Sequence, residues 1–427
     1  MACRTTTSPP RGNSLALQIL KDLSWTDRLL PLLIILAMIV GILLSVYAPS
    51  SRNDFDSSAK LEGVSVPLAI GLLVMMVPPL CKVEWENLHK FATQRAFLHQ
   101  LWISFIINWV IGPFVMFGLA WLTLFDEDEY RTGIIMIGLA RCIAMVLLWN
   151  DIADGDNTLC AIIVLINSLL QIVLYAPYQI FFCYAITGTS YGDNVGAAQT
   201  YPLVARSVAV YLGIPLGVGV IIRLAGLKLL GRDRYYKNLL PIVGPWALIG
   251  LLYTIVVIFI EKGDDFIKHI GSAFRCFVPL TLYFSIMWFG TFFGMRFISN
   301  TLYRRSNMVA SEKSDETQPL CGCEDWKRGK WNQSSCSANY GETITQTFTA
   351  ASNNFELSLA IAISIYGSGS KQAIAATFGP LLEVPILLAL TYVAKIFKEK
   401  FAWVDVKRGV FDEEISAEDS EVSDESA

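Results

Sequence analysis

The sequence predicts an all-α membrane protein of about ten transmembrane helices, built as two inverted five-helix repeats in which helices four and nine are broken. Three observations predict it. The composition is too apolar for a soluble chain, apolar stretches of spanning length fall into two groups of five, and one offset aligns part of each group with the other.

The chain is 54% hydrophobic and only 16% charged, with mean hydropathy +0.48. Soluble globular proteins carry about 25% charged residues, so much of this apolar surface is expected to face lipid. A helix that crosses a bilayer needs roughly 20 predominantly apolar residues. Candidate spans lie near 28–47, 66–82, 99–124, 131–152 and 157–186, then near 203–223, 239–261, 273–298, 349–366 and 373–396. The domain plan is a cytoplasmic N-terminal tail (1–27), a first repeat (28–190), a second repeat (200–396) carrying a cytoplasmic insert (299–345), and an acidic, disordered C-terminal tail (397–427). The first 24 residues lack an apolar core of signal-peptide length, so the first span is expected to stay as an anchor.

Basic residues in short loops set orientation. Arg4, Arg11, Lys21 and Arg28 precede the first span, Lys82, Lys90 and Arg95 follow the second, and Arg223 to Lys237 follow the sixth. Lys395, Lys398 and Lys400 close the tenth, whereas Asp126 to Glu129 and Glu261 to Asp265 fall on the opposite side. Both termini are thereby cytoplasmic, which leaves the acceptor triplet Asn332-Gln333-Ser334 unglycosylated. The expected address is the plasma membrane, with the vacuolar membrane as the other candidate. The formal net charge of −4 comes with acids clustered in the C-terminal tail and no basic run, so a nucleic-acid partner has no support.

An offset of 212 residues pairs Gly155 with Gly367, Ala161-Ile162 with Ala373-Ile374, and Leu169-Leu170 with Leu381-Leu382. It also sets Cys142 against Asn354 and Gln171 against Glu383. Five spans followed by five place the halves in opposite orientations, the pattern of secondary transporters whose site lies between the repeats and uses broken helices. The fourth and ninth spans carry polar residues at their centres, and Ser352-Asn353-Asn354 is suited to cap a half-helix.

The candidate site residues follow. Arg141, mid-span, costs roughly 2.5–3.5 kcal/mol on insertion scales, so it needs a partner or an aqueous cavity; Glu356 and Glu383 are the expected partners, and a purely structural ion pair is the competing reading. Cys142 beside it is a thiol at a break. Asn167 and Gln171 share one face of span five, where Asn167 could equally serve as a cross-link between helices. Asn108, before the Gly112-Pro113 break, reads as packing and kinking. Most of the nine cysteines read as small packing residues, with no disulfide framework. The three histidines lie at loops or helix ends, so a proton carrier inside the bundle must be a carboxylate or thiol. No phosphate-binding loop, zinc spacing or nucleophile elbow occurs, which removes an ATP-driven pump, a membrane hydrolase and any cofactor from consideration.

At these residues the sequence resembles the fungal and bacterial arsenite efflux permeases of the bile acid/arsenite/riboflavin transporter superfamily. The resemblance rests on Met75 to Leu80, Asn108 to Pro113, Gly138 to Met145, Tyr211 to Leu216, Ser352 to Leu357 and Gly379 to Pro385. The insert at 299–345 departs from the bacterial pattern and resembles the fungal branch only loosely. The resemblance implies a ten-span permease that exports arsenite, in some members antimonite, in exchange for protons. It implies roles for Cys142, Glu356 and Glu383, with Arg141, Asn167 and Asn354 at polar positions tied to transport, and Asn353 joins them as a site candidate from the polar triplet. Arsenite at cell pH is a neutral trihydroxide with a soft centre, which suits a thiol. A carboxylate in an apolar bundle has its pKa raised by desolvation, which suits proton exchange near neutrality. In this scheme Cys142 contacts arsenic, Arg141 helps ionise the thiol, Glu356 lines the substrate path and Glu383 carries the proton. The alternatives are a sodium-coupled organic-anion symporter of the same superfamily and, from another class, a receptor or uncoupled channel.

Overall fold

The structure, a computed structural model, describes residues 25–48, 58–83, 95–143, 145–187, 197–268, 270–311, 339–367 and 370–401, with Trp85 and Trp403. Helix α1 (Trp25–Tyr47) leads to a hairpin of β1 (Lys60–Leu61) and β2 (Val64–Ser65), then to α2 (Val66–Lys82). Helix α3 starts at Arg95–Phe105 and passes through the π-helical turn Ile106–Ile111 into Gly112–Thr123. Two short helices follow, α4 (Asp128–Leu139) and α5 (Met145–Ile152), then α6 (Asn157–Ile180). Helix α7 runs from Ala197–Val208 through the π-turn Ala209–Gly213 to Ile214–Leu230. Beyond it lie α8 (Pro245–Lys268), the short α9 (Ile270–Arg275) and α10 (Phe277–Ser311). The chain ends in α11 (Tyr340–Ala351), α12 (Phe355–Tyr366) and α13 (Lys371–Lys400).

Six helical runs among the described residues are long and apolar enough to cross a membrane, and Leu32–Tyr47, Val66–Lys82 and Phe355–Tyr366 are shorter apolar helices. The surface has the polarity a bilayer demands. Leu32, Trp102, Leu122, Val173, Ile221 and Phe297 point outward, while Arg141, Asn150, Gln171, Gln179, Arg223 and Ser352 are fully buried. Backbone that lipid cannot solvate must be satisfied internally, which favours helices and confines irregular backbone to protein-lined interiors.

The helices pack as two groups. A wall forms where α8 lies against α1 and α2, and α7 against α2. A bundle forms from α3 to α6 and α10 to α13. Wall and bundle touch at the hairpin, where Gly63 has φ +82°. A Cβ at Gly63 would stand 2.8 Å from the Ser364 carbonyl of α12, so the turn presses directly on that helix end. The Ser207 and Ser364 hydroxyls, on α7 and α12, hydrogen-bond at 2.6 Å across the same junction.

The prolines that looked like breaks are absorbed. Pro113 and Pro215 each follow a π-turn by two residues, and such a turn re-registers the helix around the missing donor. Asn108 spends its amide on the Ser104 carbonyl at 3.0 Å, consistent with its reading as a local packing residue. The expected insert at 299–345 was drawn too wide. Helix α10 continues to Ser311 and α11 begins at Tyr340, because the polar stretch from Asn300 contains no glycine or proline to stop it. Residues 1–24, 404–427 and 312–338 with the glycosylation triplet lie outside the described residues, and the C-terminal tail expected from 397 is helical as far as Lys400.

At one end of the bundle, Arg275 grips Asp126 at 2.6 and 2.7 Å and holds its carboxyl below the usual carboxylate range. Lys371 reaches Glu129 at 3.0 Å beside it.

The tightest helix crossing is Gly379 of α13 against the buried Phe355 ring, where a Cβ would fall 1.5 Å from a ring carbon. Gly379→Ala is expected to destabilise the fold by about 1–3 kcal/mol through overpacking. Gly118→Ala, with nothing within 4 Å, should leave stability unchanged. Thermal unfolding of the two variants in detergent checks the contrast.

Candidate functional site

Two helices of the bundle stop in its middle. Helix α4 ends when Ala140 turns extended at φ −94°, ψ 126°, and α5 resumes at Met145. Helix α11 ends when Ser352 turns extended at φ −92°, ψ 140°, and α12 resumes at Phe355. Each break leaves backbone groups that a dry interior cannot satisfy. The two breaks cross and satisfy each other. Arg141 pairs with Asn353 in an antiparallel bridge, and the Asn354 N–H donates to the Ala140 carbonyl at 3.1 Å. The Asn354 side chain accepts from Leu357 N at 3.0 Å and caps α12, a contribution of about 1 kcal/mol.

Neighbouring helices hold the crossing from either side. Gln171 of α6 accepts the Arg141 N–H through Oε1 at 3.0 Å. Glu383 of α13 faces the Asn353 N–H, and the Ser352 hydroxyl donates to Glu383 Oε1. The 212-residue offset that relates Gln171 to Glu383 also relates Arg141 to Asn353, so the two contacts correspond residue for residue. Asn167, one turn before Gln171, accepts from the Trp109 indole at 2.9 Å and ties α6 to α3.

Arg141 is fully buried but finds no carboxylate. Its Nη1 donates to the Tyr283 hydroxyl at 3.0 Å and its Nη2 to the Gly138 carbonyl. The expected ion pair with Glu356 or Glu383 is therefore absent among the described residues. Neutral oxygens at the end of α4 take its place, where the carbonyl end of the helix dipole already favours a cation. A Cβ at Gly112 would come 2.8 Å from Nη1, so that glycine leaves the room the guanidinium occupies.

Cys142 is buried within hydrogen-bonding reach of Ser352, and the groups that act on it electrostatically are Glu383 and Glu356. Arg141, adjacent in sequence, sends its charge toward Tyr283 instead, so the expected help to thiol ionisation does not follow. Glu356, in the first turn of α12, is half-buried and opens onto a narrow cleft between wall and bundle. Polar atoms at the crossing without a protein partner among the described residues include both side-chain atoms of Asn353, Asn354 Nδ2, Gln171 Nε2 and Arg141 Nε. Leaving such groups unmet costs about 1–3 kcal/mol each.

The structure thus brings Arg141, Cys142, Asn353, Asn354 and Glu383 to one crossing, sets Asn167 one turn away, and turns Glu356 toward the cleft. Sequence reasoning missed Tyr283 and Trp109, whose hydroxyl and indole have no local signal. Ser352 was visible only as part of the polar triplet.

Residues 69–269 match the family model described as the Sodium Bile acid symporter family. The chain is 39% identical over 370 residues to the arsenical-resistance protein Acr3 of Corynebacterium glutamicum, covering 87% of this chain and 89% of that one. It is 23% identical over 393 residues to the arsenical-resistance protein Acr3 of Alkaliphilus metalliredigens, covering 90% and 96%. An uncharacterized transporter of a Synechocystis species is 25% identical over 405 residues, covering 90% and 92%.

Removing the Tyr283 hydroxyl takes away the Arg141 acceptor together with its own long donation to the Ala350 carbonyl at 3.4 Å. Tyr283→Phe is expected to lower stability by about 1.5–3 kcal/mol, the worth of a hydrogen bond to a buried charge. An unchanged unfolding midpoint in detergent would show that the guanidinium has found another acceptor.

Proposed function

We propose, for a chain that belongs to the family of the Acr3 arsenical-resistance transporters within the bile acid, arsenite and riboflavin superfamily, that its cargo is arsenite and that it moves this cargo outward. Members of that family are multi-pass transporters rather than enzymes. The observation that carries the cargo is the crossing itself, where the Cys142 thiol sits beside Ser352 and faces Glu383 and Glu356. Arsenite is neutral, rich in hydroxyls and soft at its centre. The thiol suits the arsenic, and the Asn353 amide with Asn354 Nδ2 and Gln171 Nε2, unpartnered among the described residues, suits its oxygens.

The chain crosses the membrane ten times as two inverted five-helix repeats. Supporting this, Arg141 and Asn353 are related by the same offset as Gln171 and Glu383, and the related contacts meet at one point. Both termini lie in the cytoplasm of a plasma-membrane protein, as the basic loops require. The polar segment between α10 and α11 departs from the bacterial pattern and loosely resembles the fungal branch, which supports a fungal-type permease; the matched relatives named above are bacterial. Antimonite, with the same charge and softness, shares the path.

A neutral cargo gains nothing from membrane potential, whereas one proton contributes about 2.3 kcal/mol per 100 mV. Export therefore exchanges arsenite for protons. Glu383, held by Ser352 and the Asn353 N–H on the very loop that bears the cargo groups, is the proton carrier. Glu356 lines the path, Arg141 and Asn167 position the two sides of the crossing, and Cys142 contacts arsenic. A proton on Glu383 makes one carboxyl oxygen a donor and weakens the other as an acceptor for Ser352 and the Asn353 N–H, so protonation loosens the loop next to the thiol and the two occupants exclude each other.

Everted vesicles with an imposed pH gradient test this. Cys142→Ser should abolish arsenite uptake, since oxygen is a poor ligand for a soft centre, and Glu383→Gln should retain arsenite binding but lose the response to pH. Proton-driven uptake at the wild-type rate in both variants would overturn the assignment. Uptake that follows a sodium gradient would favour the organic-anion symporter reading instead. Deleting 312–338, which leaves α10 and α11 whole, is expected to keep at least half of the wild-type flux in protein shown to reach the membrane. Complete loss would give the segment and its three cysteines a part in transport.

A further inference from the structure

The hairpin between α1 and α2 is fastened to the wall and rests against the bundle. Its two-residue turn, Glu62-Gly63, has φ +46° and +82°, the left-handed pair that lets two strands reverse tightly. Lys60 pairs with Ser65 and Leu61 with Val64, and the Val66 N–H closes the ladder on the Ala59 carbonyl at 2.8 Å. Three side-chain contacts then tie the hairpin to the wall. The Tyr211 hydroxyl of α7 donates to the Leu61 carbonyl at 2.6 Å, and Arg206 of α7 meets Glu62 at 2.7 Å. The Ser65 hydroxyl donates to the buried Glu261 of α8 at 2.6 Å.

The contact with the bundle is backbone against backbone. Gly63 approaches α12 so closely that its missing Cβ would stand 2.8 Å from the Ser364 carbonyl oxygen. Ser364 also carries the hydroxyl contact of the same junction. The Ser207 hydroxyl donates to the Leu203 carbonyl at 2.9 Å, and a hydroxyl has one proton, so Ser364 is the donor in the 2.6 Å pair. Both contacts thus fall on one residue in the last turn of α12. They lie at the end that the basic loops assign to the outside, since Ser364 precedes α13 and Lys395, Lys398 and Lys400 mark the inner end of that helix.

We propose that the hairpin 60–65 is the outer gate of the permease: it travels with the wall, and cargo leaves when its tip parts from Ser364. The inference rests on the export reading and on the orientation given above, and it adds the element that controls release. Close packing and one hydroxyl bond make a contact weak enough to break and remake in each cycle. The ties to Tyr211, Arg206 and Glu261 all stay within the wall, so they survive that motion and keep the tip in register for closure.

Gly63→Ala sets a methyl against the Ser364 carbonyl, and Ser364→Ala removes the hydroxyl bond. Gly231→Ala is the control: its φ of +77° imposes the same backbone strain, but nothing lies within 4 Å of its Cβ position. Arsenite uptake is measured in right-side-out and in everted vesicles, with each full-length variant shown to reach the membrane. Gly63→Ala and Ser364→Ala weaken only the closed contact and so favour the outward-open state. They are expected to lower the half-saturating arsenite concentration on the outer face about two- to tenfold, the worth of one hydrogen bond, without lowering it on the inner face. Gly231→Ala should match the wild type on both. Joining Ser207→Cys to Ser364→Cys by oxidation, at a spacing that suits a disulfide, should block efflux in proportion to the cross-linked fraction, whereas either cysteine alone should not. Equal changes on both faces, or variants indistinguishable from Gly231→Ala, overturn the gate while leaving arsenite export standing, and so does full efflux by the cross-linked protein. Wild-type vesicles that move no arsenite at all would overturn the export reading, and the gate with it.

Discussion

The antiparallel pairing of Arg141 with Asn353 is the contact on which the interior of this protein depends. A helix interrupted inside an apolar bundle exposes donors and acceptors that no solvent reaches, and a lone break there would be prohibitively costly. Two breaks that cross at their extended residues cancel most of that cost. Once they cross, the side chains of Arg141, Cys142, Ser352, Asn353 and Asn354 converge without any further device. Gln171 and Glu383, accepting the two bridging N–H groups from opposite sides, keep the extended residues from collapsing back into helix.

The same geometry leaves several polar atoms at the centre without a protein partner among the described residues. A fully satisfied network would be rigid and closed to solutes, whereas orphaned atoms on Asn353, Asn354 and Gln171 leave binding capacity. The rest of the site is heavily braced. Trp109 pins Asn167, Tyr283 and Gly138 hold the guanidinium, and Asn354 caps α12. Rigidity lies in the bundle, and freedom lies between bundle and wall.

That division gives the cleft at Glu356 its mechanical setting. Wall and bundle meet at one end of α12 through the hairpin turn at Gly63 and the hydroxyl pair Ser207–Ser364. Glu356 lies two turns away on the same helix. Wall and bundle also touch where α7 packs on α6 and α1 on α13, and no wall residue takes part in the bridge itself.

The sequence by itself determined the class of the protein, the two interrupted segments and the residue types at them. Those features follow from local composition: apolar runs report lipid exposure, and Arg141, Cys142 and Ser352-Asn353-Asn354 stand out against them. Hydropathy also located α10 but ended it too soon, because polarity marks where a helix leaves an apolar setting and not where its hydrogen bonds stop. Tertiary structure alone decided the partners. Glu356 and Glu383 were natural counterions for Arg141 by charge, yet the break turns the guanidinium back onto Gly138 and across to Tyr283, while Glu383 serves the opposite loop. Thr254 and Thr377 come to one cleft with Glu356 only through packing. Charge and residue type are local properties that a sequence carries. Which oxygen meets which proton is fixed by a crossing between segments 212 positions apart, and only the packed bundle specifies it.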